Sequence, residues 1–217
     1  DDELLTGALS AFATQHHRQH RLVRSGALID RGTQGTHTWF AEPSRHPYPR
    51  GAPLAGTFSI ERALFHKVGG YDPKFRFGEN SEMLLRAQMA LQEVPNGPVF
   101  TQRPTVRRIV QVDRSKAHYH DHTLQAALRM LQMHSDVLKL DLTTLSNHHA
   151  IAANLLSNSG EQRRALQHAV AAARSKPNSW RAWARLIRTL LPQSLLRQPT
   201  SRGTRARRIT LKSRQEG

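Results

Sequence analysis

Apolar positions along residues 1–92 follow two different spacings, which predict helices alternating with short strands. From Leu4 to Ala13 they recur at helical spacing behind an acidic opening, which predicts a helix of about three turns. Residues 21–29 form a mostly apolar run that favours a strand. Residues 30–55 are rich in Gly, Pro, Thr and His and predict a long loop with a strand fragment near Thr38–Phe40.

Two further helices are predicted between residues 58 and 92. A short strand at 58–60 leads into a helix at 61–68, with Ser59 as its cap and Gly69-Gly70 as its stop. The next helix is expected to start at Asn80 or Ser81. Its apolar face comprises Met83, Leu84, Ala87 and Leu91.

Beyond residue 98 the pattern changes from strand to helix. Two runs flanked by proline, 99–101 and 106–112, predict strands. From Leu124 onward the spacing is helical throughout. The predicted helices are 124–140, 145–158, 161–175 and 178–191.

Small residues line one face of the third of these helices. Ala165, Ala169 and Ala172 lie between Gly160 and Pro177, and two tryptophans follow at Trp180 and Trp183. This arrangement resembles the second helix and closing turn of a tetratricopeptide repeat, although only one unit is found where a solenoid needs at least three. Two interpretations stay open: a helical hairpin packed on the main domain, or a peptide-binding repeat groove.

The charge is distributed unevenly. The chain has 217 residues, enough for one domain with a small appendage, and a formal net charge of +16. Residues 1–100 carry 11 basic and 10 acidic side chains, residues 101–196 carry 14 and 5, and residues 197–217 carry 7 and 1. The last segment has few large apolar groups, so we expect a disordered basic tail there.

Composition excludes several function classes. Cysteine is absent, which excludes disulfide scaffolds, Cys-ligated zinc and thiol nucleophiles. No apolar run approaches the roughly 20 residues of a membrane span. The acidic start lacks the pattern of a signal peptide, and a first residue other than Met indicates a fragment or a processed chain.

The most informative stretch runs from Gly56 to Arg86. A strand of small residues leads to a helix, a Gly-Gly-aromatic-Asp turn, a loop, and an acidic helix start with an arginine farther along. The residues concerned are Arg62, Phe65, Val68, Gly69, Gly70, Tyr71, Asp72, Glu79, Asn80, Glu82 and Arg86. In this order they resemble the acceptor half of family-2 glycosyltransferases with the GT-A fold.

The first nine residues resemble another part of the same family. Asp1 and Asp2, followed by Glu-Leu-Leu-Thr-Gly-Ala-Leu, are similar to the family's acidic metal motif and the helix after it. The resemblance covers residues 1–92. It implies an α/β fold, namely a partial GT-A (Rossmann-like) domain at 1–115, followed by an α-helical, TPR-like extension at 116–196 and the basic tail at 197–217. It also implies that the nucleotide-binding half precedes residue 1, so that these residues alone would be inactive.

The resemblance implies an inverting transfer from a nucleotide-sugar donor to a hydroxyl of a carbohydrate or lipid-linked acceptor. A divalent cation, Mg²⁺ or Mn²⁺, would neutralise the donor diphosphate, because these ions favour carboxylate oxygens. Asp2 would hold that metal, and Asp1 would contact the metal or the donor ribose. Glu79 would be the general base, or Glu82 if the register slips by one turn.

Other residues of the motif are expected to contact the acceptor or support the site: Gly56, Thr57, Asp72, Asn80 and Arg86. Asn80 departs from the family, where aspartate commonly follows the glutamate. If the base belongs at that position, the protein is impaired or uses Glu79. The simpler alternative for Glu79 and Glu82 is a solvated pair favoured by the helix dipole.

Two weaker patterns and two other functions remain. His118, His120 and His122 have metal-ligand spacing if they lie on a strand, while His37 and Trp39 would contact sugar or anchor their loop.

The chain could instead be a non-catalytic scaffold, or a basic module that binds acidic polymer or a membrane surface. No specific nucleic-acid partner is expected. The predicted location is cytoplasmic, with peripheral contact at the inner face of the membrane through the tail.

Overall fold

The computed structural model describes residues 2–51, 53–92, 97–110 and 116–191. These residues form a mixed sheet of five strands: β1 Asp2–Leu4, β2 Leu22–Asp30, β3 Thr36–Phe40, β4 Phe58–Ile60 and β5 Val99–Ile109. The main path of the sheet is β1-β5-β2-β3, and β4 pairs with β2. Strands β2 and β5 are parallel, and every other pair is antiparallel. The α/β class predicted from the sequence is therefore confirmed.

Eight α-helices accompany the sheet in the described part of the chain. Five lie in the second half, where the sequence predicted four. The helices are α1 Ala8–His17, α2 Arg62–Lys67, α3 Glu79–Ala90, α4 Lys116–Met133, α5 Ser135–Leu138, α6 Leu142–Asn158, α7 Gln162–Ser175 and α8 Trp180–Leu190.

The opening of the chain differs from the predicted helix. Leu4 pairs with Val106 of β5, so residues 2–4 form the short strand β1 instead of a helical turn. Gly7, in the left-handed conformation at φ 79°, then turns the chain into α1. Apolar spacing suits a helix here, but the backbone hydrogen bonds offered by β5 decide the local structure.

Three other boundaries were also wrong. The two strands expected on either side of Pro104 are one strand, β5, whose register with β2 shifts beside that proline. Ser59 does not cap α2, because it lies in β4 and its hydroxyl hydrogen-bonds His16. The helix predicted at 124–140 begins at Lys116 and breaks at His134.

The main core lies where α3 packs against the sheet and α2. Its apolar face is the one predicted from the sequence. The fully or almost fully buried members of this cluster are Leu22, Leu64, Met83, Leu84, Ala87 and Leu91. Since burial of a Leu or Met side chain contributes about 1.5–3 kcal/mol, this face fixes the orientation of α3 and of the residues in its first turn.

The helices after residue 116 pack on the α/β part through one apolar cluster. Phe75 and Leu85 meet Ala126 and Met130 of α4. Two ion pairs and one hydrogen bond reinforce this junction: the ion pairs are Asp72 with Arg129 and Asp141 with Arg50, and the hydrogen bond joins Glu82 and His134.

Helices α6, α7 and α8 form an antiparallel array. Leu156, near the end of α6, packs on Ala165, near the start of α7, while Ser146 donates to the carbonyl of Ala172 at the other end. At α8, Gln162 of α7 donates to the carbonyl of Thr189. The alanines predicted to face a partner helix are buried, as expected for closely approaching helices.

Candidate functional site

Glu82 lies at the centre of a buried charged network. Its two carboxylate oxygens accept hydrogen bonds from Arg86, at 2.7 Å to Nε and 2.6 Å to Nη2. Nε2 of His134, in the turn between α4 and α5, lies 3.0 Å from Oε1. The side chain of Glu82 is only 1% exposed. Burial alone would raise the pKa of the Glu82 carboxyl, but the hydrogen bonds from His134 and Arg86 outweigh it and lower the pKa.

Arg86 connects this network to the Gly69-Gly70 turn. Its guanidinium donates to the carbonyl of Val68 and, at 2.7 Å, to that of Gly70. Both glycines have positive φ, 81° and 65°, which L side chains rarely adopt. The turn is therefore held against α3 by an arginine whose own charge is balanced by Glu82.

Glu79 is in a different environment, although it lies in the same first turn of α3. Its side chain is half-buried, and among the described residues no hydrogen bond or ion pair engages its carboxylate. Tyr71 lies close by: burial, and secondarily the charge of Glu79, raise the pKa of the Tyr71 phenol. The Tyr71 hydroxyl donates to Oδ1 of Asn80 at 3.0 Å, which fixes the orientation of that amide.

A cavity of about 160 Å³ opens beside the start of α3. It is lined by Gly78 and Ser81, by the rings of Tyr48, Phe75, Phe77 and His148, and by small or apolar residues of α4 and α6. The phenol of Tyr48 approaches Nε2 of His148 at 3.2 Å. Burial and, to a lesser extent, the charge of His149 lower the pKa of His148 to about 4, so its ring is neutral at pH 7.

Asp2, predicted on the donor side, and Gly56 and Thr57, predicted to contact the acceptor or support the site, lie at the strands of the sheet and not in the first turn of α3. Asp2 is exposed on β1, opposite Arg108 of β5. Gly56 contacts the neighbouring Leu4 and Val106, since a Cβ on Gly56 would lie 3.2–3.4 Å from their side chains. Thr57 is buried and its hydroxyl donates to the carbonyl of Leu54 at 2.7 Å. No hydrogen bond or ion pair between described residues joins Asp2 to Glu79, and Asp1 lies outside the described residues.

Asp72 joins the turn to the helical region. Its Oδ1 accepts from the backbone N–H of Lys74 at 2.9 Å, and its Oδ2 accepts from Arg129 at 2.6 and 2.9 Å. These two contacts, the backbone one first, lower the pKa of the Asp72 carboxyl. Asp72 was expected either to contact the acceptor or to support the site. These contacts show that it caps the turn.

The described residues contain no cluster of three or more His, Asp or Glu side chains that would hold a metal ion by themselves. Asp2 offers one exposed carboxylate. One carboxylate suits the mode in which Mg²⁺ is held by one or two carboxylates, substrate phosphates and water. Asp2 could therefore hold the expected divalent cation only together with substrate phosphates and water.

The histidine pattern at 118–122 lies on α4, not on a strand. Alternate residues of a helix do not share a face, so the strand arrangement on which the predicted metal site depended is not formed. The side chain of His118 lies outside the described part. Trp39 and His37 are exposed on β3.

Sequence reasoning missed His134, His148 and Tyr48. His134 contacts Glu82 across 52 positions of sequence, and Tyr48 contacts His148 across 100. No local pattern marks either pair. The sequence held one indication of the network around Glu82. Glu82 and Arg86 are four residues apart, which is the spacing of an ion pair on a helix.

A larger groove of about 480 Å³ lies between α6 and α8. Its polar lining comprises Asn147, Asn154, Ser157, Arg185, Arg188 and Thr189. None of its lining residues belongs to the repeat-like segment from Gly160 to Trp183. A peptide ligand there stays a prediction.

Compared with family models, with curated proteins and with solved structures, the chain shows no match in any of the three.

Proposed function

We propose that this chain carries the acceptor side of an inverting, nucleotide-sugar-dependent glycosyltransferase, with Glu79 as the general base. The observation that supports this role is the contrast between two carboxylates in one helical turn. Glu82 is buried and fully paired, whereas Glu79 is half-exposed and free of hydrogen bonds among the described residues.

A general base must reach the hydroxyl whose proton it takes. Glu82 fails this requirement, since both of its oxygens are engaged and its side chain is sealed from solvent. The amide of Asn80 is not a useful proton acceptor, and its oxygen is already bonded to Tyr71. Glu79 is the remaining candidate in this turn. We therefore propose Glu79, and not Glu82, as the general base.

The aromatic cavity beside Gly78 supports a place for the acceptor. Ligand pockets combine aromatic walls with a few polar groups, and here Ser81, Tyr48 and His148 supply the polar groups. At about 160 Å³ it is smaller than a pocket for a whole drug-sized molecule, so it would hold only part of an acceptor.

In the proposed reaction the acceptor oxygen attacks the anomeric carbon on the face opposite the donor diphosphate. Glu79 takes the hydroxyl proton as the new C–O bond forms, and the bond to the diphosphate breaks, which inverts the carbon. Gly69, Gly70 and the Glu82–Arg86 pair hold α3 so that Glu79 stays at its exposed end. A divalent cation, if bound through Asp2, would neutralise charge on the leaving diphosphate.

The test is nucleoside-diphosphate release from a panel of nucleotide sugars by the protein at its natural length. Loss of a general base lowers turnover by about 10²–10⁴-fold. We expect Glu79→Gln to show this loss in kcat while donor binding, measured by calorimetry, stays unchanged. Glu161→Gln, an exposed glutamate on the distant helical face, is the matched control and should retain full turnover.

Two outcomes would contradict the proposal. Full turnover by Glu79→Gln would place the base elsewhere. Failure of the unmodified protein to release nucleoside diphosphate from any donor, with Mg²⁺ or Mn²⁺ present, would exclude the transferase function.

A further inference from the structure

Helix α8 presents three different faces. Its inner face is buried against the helical array through Ala182 and Thr189. Its outer face is apolar and exposed. The members of this outer face and their exposed fractions are Trp180 73%, Trp183 45%, Ile187 58% and Leu190 59%.

The third face is basic. At 100° per residue, Arg181, Arg185 and Arg188 fall on one side of α8, between the inner and the outer face. The helix contains no Asp or Glu, and no acidic residue occurs between Glu161 and Glu216. The positive charge is therefore not balanced by acidic side chains along this part of the sequence.

The outer face is held in place without being covered. Gln162 binds the carbonyl of Thr189, and Nε1 of Trp183 donates to the carbonyl of Pro177 at 2.7 Å. These contacts anchor both ends of α8 on the array. Four large apolar side chains in one exposed stripe are unusual for a helix fixed in this way, because contiguous exposed apolar patches mark interaction sites.

We propose that the outer face of α8 binds the surface of an anionic lipid bilayer, with the helix axis in the membrane plane. Helices that lie in the interface combine a strongly basic side with an apolar side containing tryptophan. The 11 residues of α8 span about 16 Å, against about 30 Å for the hydrocarbon core, so the helix is too short to cross it. In the described part of the chain, no helix is both long and apolar enough to cross a membrane.

Charge favours a bilayer over the other possible occupants. A second copy docked through the same face could form no ion pair between the two α8 helices, because α8 contains no Asp or Glu. The residues after α8, 192–217, carry seven basic side chains and one acidic one, with few apolar groups to cover the face. That same segment adds positive charge directly after α8 in the sequence, which strengthens attraction to anionic lipid. This inference does not depend on the proposed transferase activity.

The test uses the 217-residue chain and large unilamellar vesicles of phosphatidylcholine and phosphatidylglycerol at 3:1. Trp39→Phe leaves two tryptophans, both on the outer face, so their emission reports this helix alone. We expect co-sedimentation with the anionic vesicles, a blue shift of the emission, and at least tenfold weaker binding to phosphatidylcholine alone. Raising NaCl from 0.1 to 0.5 M should weaken binding at least tenfold.

Matched variants distinguish binding through the outer face of α8 from a general attraction of the basic chain to anionic lipid. In the natural background, the Trp180→Ser, Trp183→Ser double variant should bind at least tenfold more weakly, whereas Leu9→Ser, at a residue 72% exposed on α1, should bind normally. Arg181→Gln should weaken binding severalfold, and Arg163→Gln on α7 should not. All five substitutions in these four variants lie at the surface, so an unchanged circular dichroism spectrum and melting temperature confirm folding.

Three results would overturn the proposal. The first is no binding to anionic vesicles. The second is binding that survives the double tryptophan change but disappears when residues 197–217 are removed, which would assign it to the basic segment alone. The third is a dimer, seen by sedimentation velocity, that the double change dissociates, which would make the face a contact between copies.

Discussion

The α/β part and the helical part of this protein are stabilised by different kinds of core. Around α3 the core is built from large side chains, such as Leu64, Met83 and Leu84, brought together from distant elements. In α7 the buried side chains are alanines, which allow neighbouring helices to approach closely. The first core depends on long-range contacts, and the second mainly on helices adjacent in sequence.

The two parts also treat charge differently. The α/β part buries charged side chains. Glu82 is buried and paired with Arg86. Arg24 is fully buried, and its Nη2 donates to the carbonyl of Arg50 at 2.8 Å. Burial lowers the pKa of Arg24 to about 10. The helical part leaves most of its arginines exposed. Charge in the first part therefore fixes internal geometry, and in the second part it is available to partners.

The largest effect is expected from Glu82→Gln. The change leaves Arg86 and His134 facing a neutral amide in a buried network, and breaking a buried ion pair typically costs about 3–5 kcal/mol. Urea denaturation should show this loss in the free energy of unfolding.

Glu79→Gln is the control, because it lies in the same helical turn outside the network. Its expected change is within about 0.5 kcal/mol. The assignment of the base depends on Glu82 being a buried, structural carboxylate and Glu79 being free of such a role. Equal stability of Glu79→Gln and Glu82→Gln would contradict that distinction.

A smaller loss is expected from Ala165→Leu in the helical part. Ala165 is fully buried against Ala152 and Leu156, and added side-chain volume in a packed core costs about 1–3 kcal/mol. The melting temperature should fall, with the first loss of structure in the helices. Gln167→Leu, an exposed position on the same helix, should leave it unchanged; if Ala165→Leu were equally harmless, the close packing would be absent.

The last effect is a pH dependence that belongs to the helical part. Burial, followed by the charge of His168, lowers the pKa of His149 to about 4, against about 6.5 in the unfolded chain. The unfolded state therefore takes up the proton first, and stability present above pH 6.5 is lost as the pH falls toward 4. The carboxylates at the junction, with lowered pKa values, lose their contribution only below about pH 4.

His149→Gln should thus flatten the fall in unfolding free energy between pH 6.5 and 4, as measured by urea titrations at several pH values. His148 also contributes in this window, so part of the slope remains. A slope identical in the natural chain and in His149→Gln would contradict the lowered pKa.

The sequence predicted local features well and distant contacts poorly. The apolar face of α3 and the small-residue face of α7 follow from helical spacing, and both are buried. The strand at 2–4 was mistaken for helix because its partner, β5, lies about 100 residues away. No local pattern contains that pairing.

The candidate site shows the same limit. Glu79 and Glu82 were equivalent as acidic residues of a first turn, and the Arg86 spacing alone did not separate them. His134, 52 residues farther on, engages the Glu82 carboxylate, whereas Glu79 stays half-exposed and without a hydrogen bond among the described residues. The assignment of Asp2 to a donor metal still depends on the family resemblance.

The position of β5 has a consequence for the order of synthesis. It is the last of the five described strands to be made, yet it lies between β1 and β2 in the sheet. Until residue 109 has left the ribosome, β1 has no partner and one side of β2 is unpaired. A nascent chain paused before that point exposes strand edges that invite pairing with other chains. The helices made afterwards close the junction on a sheet whose five described strands have already been made.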